Sequence, residues 1–211
     1  MLRYWCFLFV SLVALGAPAC SGGAAVVGVE RSGEDGATGP QRIEGATEVV
    51  KFDAAAVPLG DRQPVGGACA ASIAVPGAYR CDLDSGEAAD PCFAVSSARL
   101  ICNPDPVSGG YATLVDAGSS LSPIAPPPAD RQVQFFVELE GCRACALLTG
   151  PEPVIIGGIA ALYECDEPYT YLLGFEKSAP AWEAALYTLD PATGASPSGK
   201  VPVNVVRAWV P

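Results

Sequence analysis

Nine cysteines are the residues of this chain best suited to chemistry, and their positions decide which chemistry is open. Cys6 sits in an apolar run near the start and Cys20 follows Ala17-Pro18-Ala19. Cys69, Cys81, Cys92, Cys102, Cys142, Cys145 and Cys165 fall in the body of the chain. Cys142-Arg143-Ala144-Cys145 is a C-x-x-C. A redox dithiol of that spacing works when it opens a helix after a strand, because the helix amino terminus lowers the first thiol's pKa. Here Cys145-Ala146-Leu147-Leu148-Thr149-Gly150 continues as another β-like run, so a structural disulfide role is expected. A zinc site built from the C-x-x-C and two more cysteines is not expected outside a cell. The seven body cysteines, Cys69 to Cys165, are disulfide candidates.

Histidine is absent from the chain. That removes the commonest general base, the Ser-His and Cys-His nucleophile pairs and most transition-metal sites. Carboxylates are what remain. Glu138 and Glu140 stand two apart, on one face of a strand, and paired carboxylates can serve as acid and base in glycan hydrolysis. A solvated strand face explains them more simply. Asp82-Leu83-Asp84-Ser85-Gly86-Glu87 begins like a calcium loop, then places Gly at position five and no acid at position twelve; it reads as a turn. Glu164, Asp166 and Glu167 beside Cys165 read as a surface turn. Ser119-Ser120 lacks the strand-turn-helix elbow of a nucleophile, and Gly157-Gly158 lacks phosphate-loop spacing. No catalytic residue, metal ligand or cofactor is assigned.

Location is the clearest statement in the sequence. Arg3, an apolar run of about a dozen residues and small residues at Ala17 and Ala19 form an export signal, too short for the ~20 residues of a spanning helix. Cleavage at Ala17-Pro18-Ala19 would give plain secretion. The boundary also resembles a bacterial lipobox, with Cys20 as the lipid acceptor and Ser21-Gly22-Gly23 as a short tether; Ala17 and Pro18 depart from the usual pattern. A lipidated Cys20 leaves an odd number of body cysteines. Removing residues 1–19 takes away Arg3 and no acid, so the net charge of −11 becomes −12. Phosphates would be repelled, which argues against nucleic acid and anionic lipid as partners.

The elements that must hold these residues are mostly β. Residues 20–47 are rich in Gly, Ala, Glu and Ser without periodicity and read as a flexible tether. The folded region is expected over 48–211, about 160 residues, enough for one core. Residues 132–140 alternate, with Val133, Phe135, Val137 and Leu139 on one face. Tyr169, Tyr171, Leu173 and Phe175 share a face in the same way. Val201, Val203 and Val205 alternate until the pattern slips at Val206, the mark of a bulge. Shorter strands are expected near 49–52, 78–83, 98–102, 111–115, 145–149 and 154–165, and residues 182–189 read as strand over helix. The proline-rich 122–128 must be an extended connector.

A resemblance sharpens this framework. Tyr79-Arg80-Cys81, Asp90-Pro91-Cys92-Phe93, Leu100-Ile101-Cys102, Glu140-Gly141, Cys145-Ala146-Leu147-Leu148-Thr149-Gly150, Tyr163-Glu164-Cys165 and Ala208-Trp209 follow in order. Together they resemble an uncharacterised, disulfide-stapled all-β domain of bacterial secreted proteins and lipoproteins. The resemblance spans roughly residues 69–211. It implies secretion and a stapled β fold, with no activity to transfer. Cys92–Cys102 and Cys145–Cys165 are the favoured pairs within it; Cys81 is open between Cys69 and Cys142.

The expectation is a single antiparallel β domain, sandwich or barrel-like, behind a signal peptide (1–19) and a tether (20–47). Its role is that of a non-enzymatic, secreted or lipid-anchored envelope module meeting a protein or surface glycan. The alternative is a histidine-free glycan hydrolase using Glu138 and Glu140.

Overall fold

The computed structural model describes residues 45–211 except 142, 179, 197 and 198. The expected export signal, Cys20, most of the expected tether and Cys142 lie outside the described residues. Fourteen strands and two short 3-10 turns make the described chain all-β. β1 is Glu48–Lys51, β2 Val65–Ala71, β3 Tyr79–Leu83, β4 Ala88–Ala94, β5 Arg99–Asp105 and β6 Gly110–Asp116. After a long connection come β7 Phe136–Leu139, β8 Arg143–Leu147, β9 Ile155–Ile156, β10 Ile159–Ala160, β11 Tyr163–Cys165, β12 Thr170–Glu176, β13 Trp182–Thr188 and β14 Val201–Val210.

The strands close into two barrels. β2 to β6 pair in sequence order, and β6 closes onto β2 in parallel, Val65 opposite Val115. The second barrel runs β14-β13-β12-β11-β8-β7 and returns to β14. β1 adds to it in parallel, Glu48 opposite Arg207 through Lys51 opposite Val210. Pairing is therefore antiparallel throughout the barrels except at the β2–β6 closure. Closure removes the free edges that an open sheet must otherwise protect.

Each barrel has its own interior and the two share a third core. Cys81, Cys92, Leu100, Cys102 and Val115 fill the first barrel. Val137, Leu139, Cys145, Leu172, Leu186 and Val205 fill the second. Between them lie Phe93, Ile101 and Leu114 from the first barrel and Phe135, Phe136 and Trp209 from the second. Phe52, just past β1, packs against both Phe93 and Phe135 at centroid distances of 4.9 and 5.4 Å. A strand buried on both faces loses its alternation, and β5 shows it: Leu100, Ile101 and Cys102 are all fully buried.

Several strands depart from their sequence patterns for identifiable reasons. The alternation over 132–140 holds for Phe135, Val137 and Leu139, but Phe136 is buried too, because the opposite face meets the shared core. Regular pairing starts only at Phe136. In β12 the expected common face breaks. Tyr171 and Leu173 pack outward with the β9–β10 hairpin residue Ile156, whereas Leu172 and Phe175 belong to the barrel interior. The switch falls at Gly174, where the β12–β13 register shifts between Leu172 and Phe175 and φ is +144°. A bulge adds a residue and turns the next side chain over. The irregularity at Val206 is a bulge as well, since the β14–β7 register shifts between Val205 and Arg207. Residues 182–188 are strand.

Three disulfides join directly opposed residues on neighbouring strands: Cys69–Cys81, Cys92–Cys102 and Cys145–Cys165. Cys81 thus takes Cys69 of its two candidates. The proline-rich connector lies against the first barrel, where Tyr79 donates its hydroxyl proton to the Ser122 carbonyl at 2.9 Å. Leu121 and Ile124 pack on the disulfide-lined core. At Gly77, φ is +94° and a side chain would meet Pro127 at 2.8 Å, so the connector's approach requires glycine there.

Candidate functional site

The feature that builds a site is an irregular strand. β3 and β4 pair with Tyr79 opposite Cys92 and Cys81 opposite Ala89, so Asp90 and Pro91 together oppose Arg80 alone. Proline cannot donate to the ladder and is tolerated in a strand at such a bulge. Bulges commonly re-aim a side chain beside a site. Here the side chains at Arg80 and Asp90 reach the groove between the two barrels.

That groove has a volume of about 790 Å³. The first barrel contributes Arg80, Asp90, Pro91, Asn103 and Asp105. The second contributes Phe135, Phe136, Leu147, Thr149, Glu164 and Asp166, among others. Thr149 ties the two walls together, its hydroxyl donating to the Asp90 carbonyl at 2.6 Å. Asn103 holds φ at +48°, in the left-handed region where Asn is among the better tolerated residues.

Asp90 is the buried polar group of the groove, 8% exposed. Its Oδ1 accepts from Ser72 Oγ at 2.7 Å, and Ser72 Oγ in turn accepts from the Val75 amide at 3.0 Å. No donor among the described residues reaches its Oδ2. Burial pushes the Asp90 carboxyl above the ordinary 3.8; the Ser72 hydrogen bond and the charge of Arg80 pull the other way and do not prevail. Arg80 is itself engaged with Asp82 at 3.4 Å and is largely in solvent. Asp90 is therefore an incompletely partnered acid facing a concave, partly apolar space, the combination that marks a binding or reaction site.

The carboxylates singled out by sequence lie elsewhere. Glu138 approaches Arg207 Nε at 3.2 Å, close enough for an ion pair although the geometry is off line for a hydrogen bond. Arg207 also lies 3.8 Å from Glu48. Glu140 accepts from Asn204 Nδ2 at 3.0 Å. Neither glutamate lines the groove. Residues 82–87 form the turn of the β3–β4 hairpin, with the Gly86 amide donating to the Leu83 carbonyl at 2.8 Å and φ of +88°. Glu164 and Asp166 were expected as a plain surface turn, and the fold brings them to the groove mouth. The Sγ atoms of Cys81, Cys92 and Cys102 lie within 4.8 Å of one another. All three are bound in disulfides, and a disulfide sulfur is no thiolate ligand.

Asp90 was missed as a site residue, although the signal was present. A proline flanked by Ala-Ala-Asp and Cys-Phe is a poor regular strand, and a strand that forms there must bulge. A scan against protein-family models and searches of curated proteins and of solved structures find no match to the chain.

Proposed function

We propose that this chain is a non-enzymatic binding module of the extracytoplasmic side of a bacterial envelope, exported by residues 1–19, held by a lipid on Cys20 and seating its ligand between the two barrels. The observation that carries the binding role is the groove around Asp90: a large concave space with apolar walls and one buried, half-partnered carboxyl. Three intramolecular disulfides support an oxidising compartment. The acidic chain and the short apolar leader support export and oppose nucleic-acid binding. The resemblance to stapled β domains of secreted proteins and lipoproteins agrees with the same reading.

Two measurements test it. Intact mass of protein purified from membranes should show a diacylglyceryl group on a chain that begins at Cys20; a mass without it removes the anchor. A ligand-induced thermal-shift survey of sugars, peptides, amines and acids should find stabilisers that Asp90→Asn weakens. A survey without such a compound removes the groove from the proposal.

A second reading, hydrolysis of an extracellular glycan, moves from Glu138 and Glu140 to the groove. A general acid needs a carboxyl pKa raised above the ordinary range, and burial acts on Asp90 in that direction. Release of reducing sugar from envelope glycans, abolished by Asp90→Asn, would establish this reading in place of the first.

A further inference from the structure

The chemistry of the groove walls narrows the ligand, on the reading that the groove is a binding site. Asp90, Asp105, Glu164 and Asp166 converge on it from both barrels, against one guanidinium, Arg80. Arg80 lies within 3.4 Å of Asp82, so part of its charge is already matched. Between the carboxylates the accessible walls are carbon: Ala146, Leu147, Leu148 and Pro151 among them. A bare metal ion fits this badly, because Mg²⁺ and Ca²⁺ seek six or more oxygens at about 2.0–2.6 Å and gain nothing from apolar walls. An anion would meet net negative charge. A cation on an apolar stem matches both features, laying methylene groups on the carbon walls and its charged head on a carboxylate.

Asp90 makes the match specific rather than merely acidic. It is more than nine-tenths buried, lines the groove, and has an oxygen that no described donor satisfies. That oxygen is not sealed off but open to the groove, where a cationic donor can reach it and form a charge-assisted hydrogen bond. We infer that the inter-barrel groove binds a primary alkylammonium group, its stem on Leu147 and Leu148 and its head at Asp90, with Glu164 and Asp166 at the mouth. The same chemistry is offered by a free polyamine and by the lysine side chain of an extended peptide.

The test is calorimetric titration of the disulfide-intact protein with spermidine, with the peptide Gly-Lys-Gly and, as the anionic counterpart, with glutamate. Asp90→Asn should weaken the amine at least ~10-fold, as loss of one charge-assisted hydrogen bond requires. Glu164→Gln, at an exposed position of β11, should weaken it about 2- to 5-fold. Glu183→Gln, away from the groove, should change nothing. Saturable binding of either amine with this ranking supports the inference, and spermidine or peptide preference then identifies the source. Absence of binding by both amines overturns it, as does equal weakening by Glu164→Gln and Glu183→Gln, which would mean diffuse attraction to an acidic surface. Binding of glutamate instead, weakened by Asp90→Asn, would overturn the amine and leave the binding module standing.

Discussion

Replacing Phe135 with alanine asks whether the two barrels stand or fall together. Phe135 is 1% exposed, and its ring lies 4.8 Å from Phe93 of the first barrel and 5.4 Å from Phe52 after β1. Losing a buried phenyl group removes about 1.5–3 kcal/mol of transfer free energy. Two aromatic pairs add about 0.5–1.5 kcal/mol each, and the site cannot collapse easily because rings from both barrels line it. A loss of about 4 kcal/mol follows, within the usual range for buried phenylalanines. With a urea m-value near 2 kcal/mol/M, the midpoint should fall by about 2 M. Equilibrium unfolding with disulfides intact would be followed by the fluorescence of Trp182 and Trp209, both in the second barrel, and by far-ultraviolet circular dichroism. The two signals should stay superimposed as both move down. A loss below about 1 kcal/mol, or a tryptophan transition left in place while the dichroism splits, would refute a shared core that couples the barrels.

Other perturbations follow from the same geometry. Replacing Cys145 and Cys165 together by alanine opens a disulfide of sequence separation 20 and should cost about 3 kcal/mol, measured by denaturant unfolding. Thr47→Ala deletes a hydroxyl that donates to the Val205 carbonyl at 2.6 Å and accepts from the Trp182 amide at 2.7 Å; a loss of about 1–2 kcal/mol in thermal or urea unfolding is expected. The raised Asp90 carboxyl means the folded chain holds a proton that the unfolded chain has released above pH 3.8, so Asp90 makes stability fall as pH rises from there. Asp90→Asn removes that slope: urea midpoints of variant and wild type should diverge in the variant's favour from acid toward neutral pH. A constant difference would contradict the buried-acid assignment. Alkylation after reduction should label six more thiols than alkylation of the native protein, from the three described disulfides.

What the sequence could show depended on whether a local pattern survived tertiary contact. β14 and β13 were legible because β-branched or apolar residues alternate there, and the slip at Val206 gave away its own bulge. β2 was not, since Val-Gly-Gly-Ala-Cys-Ala-Ala has no large apolar residue to set a period; its place is fixed by Cys69 and by pairing to β3. β4 was hidden by Pro91. The face of β12 was misjudged because a glycine inside a strand carries no sign of which way the following residue turns. The closure of each half into a barrel was beyond local reading: an antiparallel run such as β2 to β6 closes only through the distant β2–β6 contact. Of the groove, the carboxylates at 164 and 166 were noticed as a cluster, but their meeting with Asp90 depends on barrel packing that no spacing encodes.

β14 hydrogen-bonds to β13, to β7 and to β1 at once. The keystone of the second barrel is thus its last strand, and β1, some 160 positions earlier, has nothing to lie on until that strand is in place. On a chain that emerges from its amino end, the first barrel can assemble from β2 to β6 while β1 and Phe52 wait unpaired. The second barrel and the shared core then form in one late event of high contact order. The inter-barrel groove therefore comes into being only at that final step, so any ligand it holds would meet a finished protein and never a partial one.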